Sequence, residues 1–146
     1  MPRTFVLRSI DAPVDRVFST VADINQFSKA IPHIVKVEFL SELKSGVGIR
    51  FRETRSMKGK EVSNDLEVTE FVRNERVRFV SDSHGTIWDT VFAVKASGGQ
   101  TVLTMTMETK TDNPIRRVMV YLISPMVKKA IEADMDRVKE FSERPG

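Results

Sequence analysis

The 146-residue chain contains no cysteine, which excludes a disulfide framework, a thiolate nucleophile and a thiolate metal site, and fits a reducing compartment. It has two histidines, His33 and His84, and neither is bracketed by carboxylates at helical i, i+4 spacing, so no metal site is expected. Long apolar runs are also missing. The longest covers residues 118–123, far short of the ~20 residues a membrane-crossing helix needs. The first residues carry no basic segment leading into an apolar run and a small-residue cleavage site, so a cytoplasmic protein is expected. Charge of one sign is not in excess either. Twenty-three basic residues against twenty acidic give +3, and their interspersion argues against a nucleic-acid footprint. Gly46-Val47-Gly48 lacks the third glycine of a dinucleotide loop, since Phe51 stands there, and no phosphate-loop motif occurs, so no cofactor is expected. With no internal repeat, low-complexity tract or linker, residues 1–146 read as one domain.

What is present is a change of period. Thr4 to Ile10 alternates as a first strand, and Asp11-Ala12-Pro13 ends it because proline cannot donate to a ladder. Val14, Val17, Phe18 and Val21 then fall on one helical stripe, with Pro13 suited to the first turn. Asp23 is placed to cap a second short helix carrying Ile24 and Phe27, which Pro32 closes. From Val35 to about Thr109 the period is two. The expected inner rows are Val35, Val37 and Phe39; Ile49 and Phe51; Val62, Asn64, Leu66 and Val68; Val77 and Phe79; Trp88, Thr90, Phe92 and Val94; and Leu103, Met105 and Met107. Turns at Lys58-Gly59, His84-Gly85 and Ser97-Gly98-Gly99 favour sequential antiparallel pairing.

From Asn113-Pro114 to about Arg144 the period returns to helical, over a length of about 45 Å. One broad apolar stripe is expected to face the sheet: Ile115, Val118, Met119, Leu122, Met126, Ala130, Ile131, Met135, Val138 and Phe141. Pro125 lies inside it and predicts a kink. The fold class is therefore α+β: an antiparallel sheet of about seven strands with two short helices after strand 1, curved around a long C-terminal helix.

This order, together with Ile10-Asp11-Ala12-Pro13-Val14-Asp15-Arg16-Val17-Phe18, the sequel Val21-Ala22-Asp23 to Phe27 and Ile31-Pro32, and the late segment Ala133-Asp134-Met135-Asp136-Arg137-Val138-Lys139, resembles the helix-grip fold of the START-like or SRPBCC superfamily. The polyketide cyclase/dehydrase-like and coenzyme-Q-binding branches are the most similar. The resemblance implies a hydrophobic cavity between sheet and helix, and it covers nearly the whole chain. It specifies a fold rather than a reaction.

The expected cavity lining is Phe51, Leu66, Phe79, Trp88, Phe92, Met105, Met107, Met119, Leu122 and Met126, with Glu53, Asn64, Ser81 and Thr90 as polar interruptions that require a partner or a ligand. The same apolar side chains also suit an ordinary packed core. Glu53 is the single candidate for acid–base chemistry, provided an apolar wall isolates it; Arg55, two residues on, offers the alternative of an ion pair. Ser83-His84 is adjacent in sequence only, and adjacency supplies neither base geometry nor an oxyanion hole. Arg116-Arg117 and Lys128-Lys129 suit either a solvated helix face or contact with a membrane surface. The expected function is binding of a small hydrophobic or aromatic molecule such as a lipid, quinone or polyketide. The alternatives are a cofactor-independent cyclase or dehydratase and an interaction module without catalysis. The sequence leaves ligand identity and oligomeric state open.

Overall fold

The computed structural model describes residues 3–43 and 46–145. Strand β1 (Arg3–Ile10) is followed by α1 (Val14–Ala22) and α2 (Ile24–Ala30). Six strands then succeed one another: β2 (Ile34–Phe39), β3 (Arg50–Met57), β4 (Lys60–Val72), β5 (Arg76–Ser83), β6 (Thr86–Ser97) and β7 (Gln100–Lys110). Helix α3 (Pro114–Glu143) ends the series. All strands lie in one curved antiparallel sheet ordered β1-β7-β6-β5-β4-β3-β2. Sequential hairpins build the meander, and β1 closes it by pairing with β7.

Local chemistry explains the joints. Lys58 and Gly59 both take left-handed φ, 52° and 79°, as do His84 and Gly85 at 53° and 90°; two successive left-handed residues match the twist of paired strands in a tight hairpin. The Asp23 carboxylate accepts the Asn25 N–H at 2.9 Å and so caps α2. Pro13 stands at the N-cap of α1, one residue before the turn expected for it. Asn113 caps α3 by accepting from the amides of Ile115 and Arg116, and Pro114 occupies the first helical turn, where its missing N–H costs nothing.

The core lies between the concave face of the sheet and the helices. Phe51, Val68, Val77 and Leu103 from the sheet meet Val17 and Val21 from α1 and Ile131, Met135 and Val138 from α3. Edge-to-face rings continue this packing from α2 into the sheet, Phe27 on Phe92, Phe92 on Phe79 and Phe79 on Phe51, with centroids 6.0–6.2 Å apart. Each such pair adds about 1 kcal/mol to the burial of its rings.

Helix α3 packs on β1, α1 and α2, and polar straps fix that seam. Arg8 Nε donates to Asp136 Oδ1 at 2.6 Å, Lys139 donates to the Ser9 carbonyl, and the Asp11 amide donates to Glu143 Oε2 at 2.8 Å. The Asp11 hydrogen bond holds the Glu143 carboxyl below its usual range, with Lys139 assisting.

Three expectations require correction, the first being Val62, expected inward but exposed near the β3–β4 turn. Val35 is exposed rather than inward, because the register of β2 on β3 shifts between Ile34 and Lys36. Val35 is the extra residue of a bulge, and Ile34 takes its place in the buried row. The single apolar stripe of α3 is in fact two rows. Ile131, Met135 and Val138 are buried, whereas Ile115, Val118, Met119, Leu122 and Met126 face solvent. The five-residue step from Met126 to Ile131 turns the row by about 140° around the axis at 3.6 residues per turn. The helix runs continuously through Pro125.

Candidate functional site

Between the concave sheet and the second half of α3 lies a cavity of about 390 Å³, within the range of small-molecule sites. Its sheet wall follows from the strand register. Phe51 faces Leu66 across β3 and β4, Glu53 faces Asn64, Phe79 faces Thr90 across β5 and β6, Ser81 faces Trp88, and Phe92 and Thr90 face Met105 and Met107 on β7. All of these residues line the cavity. The wall is mainly apolar and mostly buried; Asn64 is exposed, at an open side, and Leu66, Trp88 and Met107 are half-buried. Leu103, expected beside them, lies fully buried in the core.

Met119, Leu122 and Met126 do not belong to this lining, because the first half of α3 turns their row outward. The helical contribution comes from Val127, Ala130, Ile131 and Asp134, joined by Val21, Ile24 and Phe27 of the short helices. Alternation and periodicity gave no sign that α1 and α2 reach the cavity, since their stripes read as core.

The polar part of the wall is of two kinds. Ser81 and Thr90 are each 8% exposed. Among the described residues their hydroxyls make no hydrogen bond to another protein group. A hydroxyl in such a setting is short of a partner that a bound molecule or water can supply. Ser83, at the end of β5, also lines the cavity, while His84 stands in the adjoining turn.

The second kind is a charged triad. Arg55 Nε donates to Glu53 Oε1 at 2.5 Å, and its Nη1 donates to Asp134 Oδ2 at 2.8 Å. One guanidinium thus bridges a carboxylate of β3 and a carboxylate of α3, tying sheet to helix at the cavity wall. Burial works against the Arg55 charge, but Glu53 and Asp134 outweigh it and leave the guanidinium more firmly protonated than an ordinary arginine. Glu53 is therefore not the isolated carboxyl that general-acid chemistry would need. Sequence reasoning paired Glu53 with Arg55 but missed Asp134, 79 residues further on. Its signal was present: position 134 falls three after Ile131 and four before Val138, on the inward row of the helix, where a charge requires a partner.

A second hollow, of about 560 Å³, lies on the other side of α1 and α2, against residues 46–51 and the β4–β5 turn. Asp15, Asp23, Asn25, Arg73 and Asn74 contribute to its wall. It lacks the convergence of buried hydroxyls and apolar surface seen in the first cavity.

The model of the family described as polyketide cyclase / dehydrase and lipid transport matches residues 3–143. Among solved structures, TTHA0849 from Thermus thermophilus shares 20% identity over 97% of both chains, with a TM-score of 0.77. The di-domain ARO/CYC BexL from the BE-7585A biosynthetic pathway shares 16% identity over 96% of this chain and 46% of its own, with a TM-score of 0.78. Ara h 8.0201 shares 14% over 97% of both chains, with a TM-score of 0.73. At these identities the structures establish the fold. No curated protein matches the chain.

Proposed function

Because the chain belongs to the polyketide cyclase / dehydrase and lipid transport family, in the START-like superfamily that its sequence resembles, we propose that its cavity binds a small, mainly apolar or aromatic molecule carrying at least one polar group. The observation that carries this reading is the pair Ser81 and Thr90, nearly buried residues whose hydroxyls make no hydrogen bond to protein among the described residues and stay open to the cavity within an apolar wall. In a solid core such hydroxyls would need protein partners, whereas here they are open to a ligand carbonyl or hydroxyl. Ring faces would stack between Phe92, Trp88 and the methionines, and the Glu53–Arg55–Asp134 bridge would form a fixed charged rim.

Catalysis is the second reading. The bridge holds two carboxylates beside the cavity, and a cyclase or dehydratase would use one of them to move a proton on a bound polyketide. The ion pairing of Glu53 weighs against it as the donor. The binding reading therefore stands first.

Trp88 is the only tryptophan in the chain and lines the cavity, which provides a direct assay. Titration with anilinonaphthalenesulfonate is expected to change Trp88 emission saturably at a single site. Thr90→Phe, which fills the cavity, is expected to abolish the change, while the exposed-surface substitution Leu122→Ser leaves it intact. Equal response in the wild type and Thr90→Phe would rule out binding in this cavity. Native mass spectrometry of gently purified protein then identifies any natural occupant, and turnover of that molecule would favour the catalytic reading.

A further inference from the structure

We propose that the first half of α3 is a docking element for an anionic lipid surface. Ile115, Val118, Met119, Leu122 and Met126 form an outward row, 57–75% exposed, on the side of the helix opposite Val120, which is buried. Tyr121, 55% exposed, stands beside them. An uninterrupted row of large apolar side chains pointing away from the body of a protein marks a surface that meets something apolar.

The charges around the row identify its occupant. Residues 113–131 include Arg116, Arg117, Lys128 and Lys129 and no acidic residue, although the chain as a whole holds twenty acids. Among the described residues none of the four forms an ion pair. At 100° per residue Lys129 lies within the row's arc and Arg116 at its edge, while Arg117 and Lys128 flank the helix on the Tyr121 side. An apolar row between unpaired cations suits the boundary between acyl chains and anionic headgroups, with Tyr121 at headgroup depth. A second copy of the chain is a poor fit, since a two-fold contact through this face would set both copies' cations together, with acids only at its margins, at Asp112 and Glu132. Docking would place Ala130, an exposed lining residue one turn beyond Met126, at the lipid surface.

The test is flotation of the full chain with phosphatidylcholine vesicles, with and without phosphatidylserine. Binding is expected only to vesicles containing phosphatidylserine, and it is expected to weaken with added salt. Leu122→Ser with Met126→Ser is expected to lower partitioning roughly tenfold or more through lost apolar burial. Arg116→Gln with Lys129→Gln is expected to lower it by a similar factor, roughly tenfold. Leu122, Met126 and Lys129 are exposed and Arg116 half-buried, and circular dichroism confirms that the variants remain folded. Absence of phosphatidylserine-dependent binding overturns the proposal, as does full binding by the Leu122→Ser, Met126→Ser variant. A wild-type dimer in sedimentation that the same variant dissolves also overturns it, by assigning the row to self-association.

Discussion

The first half of α3, residues 114–128, holds nine large apolar residues and the second half, residues 129–143, four, yet it is the second half that is buried. In the second half, Met135 and Val138 are 1% and 0% exposed, and charged side chains strap the helix to β1. In the first half, Leu122 and Met126 are 75% and 70% exposed, and only Val120 is buried. Hydrophobicity alone therefore does not decide burial. What decides it is whether the row points to a partner, and a five-residue step between Met126 and Ile131 is enough to change the answer. The second half serves folding, while the first half is free of that duty and available for something else.

The sharpest way to test this contrast is at its buried end. Met135→Ala is expected to destabilise the protein by about 2–5 kcal/mol, from lost transfer energy and the cavity left behind. Urea unfolding measures it. A loss under about 0.5 kcal/mol, the range of ordinary surface changes, would mean that the second half is not the anchored one.

An intermediate effect is expected where helix meets sheet. Arg55→Met leaves Glu53 and Asp134 without their bridging cation, at a cost of about 1–3 kcal/mol, less than for a fully buried pair because these side chains retain some exposure. Urea unfolding measures the loss, and a variant as stable as the wild type would show that the bridge does not tie helix to sheet. The smallest effect belongs to the exposed end, where Leu122→Ala is expected to change stability by no more than about 0.5 kcal/mol. A loss comparable to that of Met135→Ala would erase the difference between the halves.

Much of the sheet was legible because period two and the turn residues agree. The row Trp88, Thr90, Phe92 and the row Met105, Met107 face the cavity just as alternation implies. Legibility failed where two equally periodic solutions exist. The α3 sequence contains both rows, and periodicity shows that a row exists without showing which one meets the sheet. Val35 failed for a different reason: a bulge shifts phase by one residue, and nothing in Ile34-Val35-Lys36 announces which is the extra one. Asp134 was legible as a charge on the inward row of α3, but its partner, Arg55, is on a distant strand and was not. The polar positions Glu53, Ser81 and Thr90 were conspicuous as interruptions of apolar rows, which is why the sheet side of the cavity was found and its helical side was not.

The straps between β1 and α3 join residues 128–132 positions apart, and β1 pairs in the sheet only with β7. During synthesis, then, the first strand emerges with nothing to receive it until more than ninety further residues have followed. The meander from β2 to β7 can pair hairpin by hairpin as it appears, but its concave face waits for a helix made last. Closing so long a loop is entropically expensive and tends to be slow. The same seam that fastens the finished molecule thus makes folding a late event, with the apolar wall of the future cavity uncovered in the meantime.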